Sequence, residues 1–151
     1  MMRGPTRALA KLIGRGAWNR DAAQIAAVER LQQVHDGQLH GLYLHGSVGS
    51  GKTAMMDLLV ECSREAQRVK RLHFHEFMLY AHAEMHKGRT PMEIGRQVAD
   101  ADLLCLDEFE LTDIADAAIV SRAMRGILST SCSLVTTSNR PPGAGVLTLP
   151  P

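Results

Sequence analysis

GSVGSGKT, residues 46–53, is the stretch that decides the fold. It satisfies the pattern G-x-x-x-x-G-K-[ST]. The apolar run Leu42-Tyr43-Leu44 precedes it, and residues 52–66 after it read as a helix. Strand, glycine-rich loop and helix in that order predict a phosphate-binding loop. The spacing has a physical reason. Glycines let the backbone wrap an anion and turn its N–H groups inward. The helix N-terminus adds the positive end of its dipole. Gly46, Ser47, Val48, Gly49, Ser50 and Gly51 are the expected cradle, Lys52 the point charge for the β- and γ-phosphates, and Thr53 the hydroxyl for Mg²⁺. ATP and Mg²⁺ are therefore the expected ligands.

Around this loop, strand and helix signals alternate. Residues 21–35 place Ile25, Val28, Leu31 and Gln32 at helical spacing, with Asp21 as N-cap. Residues 71–75 (RLHFH) alternate and predict a strand, 76–86 a helix, and a further short helix is expected from Pro91. Leu103-Leu104-Cys105-Leu106 suits a strand buried on both faces. From Thr112, the residues Val120, Met124, Ile127 and Leu128 mark one helical face, and 133–137 (SLVTT) is a β-branched strand. Four strands separated by helices predict βαβ units and a parallel α/β sheet. The organisation expected is a helical lead-in over 1–40, a P-loop core over 41–140, and an irregular tail over 141–151, which holds four prolines and no charge.

The second site is Asp107-Glu108, two acids at the end of the buried run. This is the pattern of a Walker B strand. Asp107 is expected to hold Mg²⁺, normally through water, and Glu108 to orient and deprotonate the attacking water. The plain alternative is a strand ending in solvated acids. Beyond SLVTT, Asn139 is placed to sense the γ-phosphate or the water; the alternative is an Asn turn before Pro141-Pro142.

Composition bounds the rest. The chain has 151 residues, 17 Lys+Arg and 16 Asp+Glu, a formal charge of +1. One domain is expected at this length. The balance argues against non-specific nucleic-acid binding, which favours a basic excess. No apolar run approaches the length of a membrane span. Cys62, Cys105 and Cys132 lie far apart and predict reduced thiols, with Cys105 in the core. Residues 1–20 carry five basic residues and no acid, which suits either a mitochondrial transit segment or the first basic helix of the domain. Residues 100–116 hold seven carboxylates and no Lys or Arg, a place to look for a metal. His73 and His75 are expected on one strand face, and His82 and His86 are i,i+4 on a helix. Polar packing is the favoured reading for both pairs, zinc the minor one. Met55, Met56 and Met78 read as core, and Trp18 as a packing anchor.

Four segments together resemble a known family: GSVGSGKT, HFHEFM (73–78), DEFELTDIADA (107–117) and TSNRPP (137–142). In order and spacing they are similar to the ZapE-type AAA+ ATPases, which include the mitochondrial lactation-elevated ATPases. The resemblance covers about residues 8–142, and it favours a domain helix over a presequence at the N-terminus. It implies ATP hydrolysis with catalytic residues Lys52, Glu108 and Asn139, and a strand order 5-1-4-3-2. It also implies a protein partner or substrate, in cell-division-type remodelling or protein quality control, and a homo-oligomer. The compartment implied is the mitochondrion for a eukaryotic source and the cytoplasm for a bacterial one, the basic start leaning to the former. Family members continue well past the RPP segment, whereas this chain reads GAGVLTLPP and stops. The fifth strand, the arginine-finger region and the lid are thus expected to be missing, with β-strand 42–44 left as an edge. The rival expectation is a nucleotide-binding fragment that acts only by interaction.

Overall fold

Leu103, Leu104, Cys105 and Leu106 are all buried, and a four-stranded parallel sheet is built around them. The computed structural model describes residues 4–140. The elements in chain order are α1 (Pro5–Gly14), α2 (Ala22–His35), β1 (Gly41–His45), α3 (Lys52–Ser63), β2 (Val69–His73), α4 (Phe74–His86), α5 (Pro91–Val98), β3 (Leu103–Asp107), α6 (Ile114–Leu128) and β4 (Ser133–Ser138). The sheet order is β1-β4-β3-β2, all pairs parallel, which is the expected 1-4-3-2 arrangement. β1 is at the edge among the described residues. The tail expected over 141–151 lies outside them.

Side-chain alternation along the strands divides the core into two layers. Leu103, Cys105, Val135 and Leu44 face one way and pack with α1, α2 and α3. Leu104, Leu106 and Leu134 face the other way and pack with α4, α5 and α6. Met55, Met56 and Met78 are buried as expected. The three cysteines are free and buried, and burial pushes the Cys105 thiol up to about 12.

Local chemistry sets the boundaries. Asp21 Oδ1 accepts from the Gln24 N–H at 2.9 Å and caps α2. Thr90 and Glu93 close a capping box on α5, with Pro91 in its first turn. Asp113 caps α6, so that helix starts two residues later than the sequence suggests. The helix expected over 52–66 ends at Ser63. The strand expected over 71–75 is corrected. β2 runs from Val69 to His73, and Phe74 and His75 already belong to α4. His73 makes the break, because its Nδ1 accepts the His75 N–H at 3.1 Å and caps α4. His73 and His75 therefore do not share a strand face.

Helices α5 and α6 cross at two glycines. A Cβ on Gly95 would overlap the Ala123 carbonyl, and one on Gly126 would overlap the Met92 carbonyl. Backbone cannot yield as a flexible side chain can. Gly95→Ala is thus expected to cost about 3 kcal/mol, the upper end for overpacking. In a chain of this size that lowers the melting temperature by roughly 6–12 °C. Thermal unfolding checks it; an unchanged melting temperature would show that the two helices can separate freely.

Candidate functional site

The loop 46–51 leaves β1 and turns into α3 through two glycines in left-handed backbone, Gly49 at φ 84° and Gly51 at φ 89°. Gly51 is the N-cap of α3, so the first N–H groups of that helix open onto the loop. Lys52 folds back over it. Its Nζ donates to the carbonyl oxygens of Gly46 and Ser47 at 2.7 and 2.9 Å and to Ser50 Oγ at 3.1 Å.

A cavity of about 470 Å³ lies in front of this loop. Val48, Gly49, Gly51, Lys52 and Thr53 line one side, and Glu108, Thr137, Ser138 and Asn139 the other. The parallel sheet explains the meeting. β1, β3 and β4 end at the same edge, and ligands in open α/β sheets bind outside the carboxyl ends of the strands. Val48, Gly49, Gly51, Lys52 and Thr53 of the loop are thereby brought to one cavity with Glu108 and Asn139; Gly46, Ser47 and Ser50 are not among its lining residues.

Glu108 has a backbone φ of 56°, rare for a residue other than glycine. Two contacts hold it there. The Glu108 N–H donates to Thr137 Oγ1 at 3.0 Å, and the next N–H, of Phe109, donates to the Thr137 carbonyl at 2.6 Å. Such backbone persists only where its surroundings over-determine it. The Glu108 side chain is exposed at the cavity, with Oε2 2.6 Å from His73 Nε2. Among the described residues Oε1 has no hydrogen-bond partner.

Asp107 ends β3 next to Glu108 but is not among the residues lining the cavity; its Oδ2 accepts from Arg71 Nε at 2.6 Å. The acidic run as a whole is also dispersed. Asp100 pairs with Lys70, Asp102 with Arg68, Glu110 with Arg140 and Asp116 with His82, while Asp113 caps α6. Hydrogen bonding from Lys70 holds Asp100 below the usual carboxylate range, and the Arg68 backbone N–H does the same for Asp102. Among the described residues no group of three or more His, Cys, Asp or Glu side chains is arranged to hold a metal ion. The Thr53 hydroxyl and the Glu108 carboxylate line the cavity, and the Asp107 carboxylate precedes Glu108 at the end of β3; these donors are all oxygen. That fits Mg²⁺, which prefers oxygen ligands and keeps several waters.

Sequence reasoning missed four residues here: Gln24, Arg71, His73 in its contact with Glu108, and Thr137. Gln24 is the least obvious. Its Nε2 donates to the Ser50 carbonyl at 2.9 Å, and its Oε1 accepts from Trp18 Nε1 at 2.7 Å. A Cβ on Gly51 would sit 2.6 Å from Gln24 Nε2 and would push that amide away from the loop, while the positive φ of 89° itself favours glycine there. Trp18, expected as a packing anchor, is therefore also the start of a chain of hydrogen bonds into the loop.

The family model of the AFG1-like ATPases matches residues 17–145. The chain belongs to that family. It carries the nucleotide-binding ATPase core of the AFG1-like ATPases. The cell division protein ZapE of Escherichia coli K12 is 45% identical over 109 residues, covering 69% of this chain and 29% of that protein. Lactation elevated protein 1 homolog B of Danio rerio is 38% identical over 130 residues, covering 74% of this chain and 26% of that protein. The chain thus spans less than a third of the length of these curated relatives. Among solved structures, AMPPCP-bound DnaA from Aquifex aeolicus superposes with a TM-score of 0.68 at 22% identity, covering 87% of this chain and 44% of that one. The DnaC helicase loader gives 0.64 at 20%, covering 84% and 76%. Both similarities concern the fold, the P-loop AAA+ sheet with its flanking helices. No described helix is long and apolar enough to cross a membrane.

For an AFG1-like core, Gln24 has a measurable consequence. Gln24→Ala removes a hydrogen bond to the loop and is expected to weaken nucleotide binding by about three- to tenfold, the equivalent of roughly one net hydrogen bond. Titration with a fluorescent ADP analogue checks this; unchanged affinity would show that the loop holds its shape without α2.

Proposed function

We propose that this chain binds MgATP in the cavity before the 46–53 loop and hydrolyses it to ADP and phosphate by in-line attack of water. One observation supports this above the rest: Lys52 and Thr53 from α3, Glu108 from the end of β3, and Asn139 from the end of β4 all line one cavity of about 470 Å³. The loop N–H groups and Lys52 bind the phosphates, Lys52 exchanging its present carbonyl partners for them. Thr53 and Asp107 would hold Mg²⁺. Held by them, Mg²⁺ would supply positive charge against the phosphates. Glu108 takes the proton of the attacking water through Oε1, with His73 holding Oε2. Asn139 positions the water or the γ-phosphate. Binding is tested by titrating the chain with a fluorescent ATP analogue in the presence of Mg²⁺. Saturable binding displaced by unlabelled ATP is expected, and its absence would contradict the reading.

The work driven by hydrolysis is proposed to fall on a protein partner, in cell-division-type remodelling or protein quality control. Support for this comes from the similarity to the cell division protein ZapE.

A further inference from the structure

Arg71 sits on β2 in register with Cys105 and makes no part of the nucleotide cavity. Its guanidinium joins two carboxylates. Nε donates to Asp107 Oδ2 at 2.6 Å, and Nη1 donates to Asp57 Oδ1. Asp107 ends β3, and Asp57 lies on α3, the helix that the phosphate loop opens. The Arg71 and Asp107 side chains are 24% and 19% exposed, Asp57 59%. Burial by itself would lower the Arg71 pKa, but the hydrogen bonds to Asp107 and Asp57 outweigh it, so the pKa is raised and the cation is permanent. A fixed positive charge thus rests on the carboxylate assigned to Mg²⁺, while among the described residues Oδ1 of that carboxylate has no hydrogen-bond partner.

We propose that Arg71 and Asp57 set the Mg²⁺ requirement of nucleotide binding, Arg71 raising it by neutralising Asp107 and Asp57 lowering it by sharing Arg71. The inference rests on the reading of Asp107 as the Mg²⁺ carboxylate. Arg71 and Asp57 are positioning residues, since neither touches nucleotide. Their effects follow from charge. Without Arg71 the two carboxylates carry −2 together rather than a net −1, and the attraction for a dication rises. Without the Asp57 charge Arg71 cancels Asp107 fully, and the attraction falls. A guanidinium that merely pinned β2 to α3 would act otherwise: cutting either end would loosen the same structure and shift Mg²⁺ dependence the same way.

The experiment measures the half-saturating Mg²⁺ concentration for binding of a fluorescent ATP analogue by the 151-residue chain, at low and high salt. Partial burial places the effective dielectric below that of water, and Arg71→Gln is expected to lower the Mg²⁺ requirement about three- to tenfold. Asp57→Asn is expected to raise it about two- to fivefold by the same charge argument. Both shifts shrink at high salt, because partly exposed charges are screened. Arg71→Lys keeps the charge and stays near wild type, which serves if Arg71→Gln does not fold. Asp107→Asn is the separating control and is expected to raise the requirement. Shifts of equal sign for Arg71→Gln and Asp57→Asn, or none while Asp107→Asn shifts, overturn the proposal. An Asp107→Asn protein indistinguishable from wild type overturns the reading of Asp107, and the proposal with it.

Discussion

Replacing Glu108 by Gln is expected to slow phosphate release by about 10²-fold or more while leaving ATP bound, the effect of losing a general base. The substitution keeps the shape and one hydrogen-bonding oxygen but removes the proton acceptor. The backbone at φ 56° is held by Thr137, not by the side chain, so the turn survives the change. Binding survives too, because the phosphate cradle belongs to residues 46–53. Single-turnover phosphate release under saturating protein checks the rate. A variant as fast as wild type would mean that another group handles the water.

Lys52→Ala is expected to weaken nucleotide binding by about 10- to 100-fold, since hydrogen bonds to charged groups contribute about 1.5–3 kcal/mol. Among the described residues Lys52 is the only Lys or Arg side chain lining the cavity. Its three present contacts are with loop carbonyls and Ser50 Oγ. These also restrain the loop, so the variant loses both the charge for phosphate and part of the loop's order. Equilibrium titration with a fluorescent ATP analogue measures the loss. Equal affinities for the two proteins would place the phosphates elsewhere.

What the sequence made legible was whatever local chemistry decides. The loop 46–53 carries its own geometry, because glycines with positive φ and a helix N-terminus are written into eight residues. The buried run Leu103–Leu106 declared a central strand, and with four strands the order 1-4-3-2 followed from the family resemblance. The register of α4 was not legible. RLHFH alternates like a strand through His75, and only the His73 ring accepting the His75 N–H turns the chain into a helix two residues earlier. Nor were the partners of the carboxylates. Arg71 and Asp107 are 36 residues apart in the chain and meet only because β2 and β3 are neighbours. Thr137 and Glu108 meet likewise across the β3–β4 junction. Gln24 looks like any helix-surface glutamine until α2 packs beside the loop. Such contacts are made by topology, and no spacing in the chain announces them.

The most direct measurement is the identity of the nucleotide retained after incubation with radiolabelled ATP and Mg²⁺ and rapid removal of free ligand. Wild type is expected to retain ADP, Glu108→Gln to retain ATP, and Lys52→Ala to retain little of either. ADP on the Glu108→Gln protein, or undiminished nucleotide on Lys52→Ala, would contradict binding and hydrolysis in the cavity shared by Lys52 and Glu108.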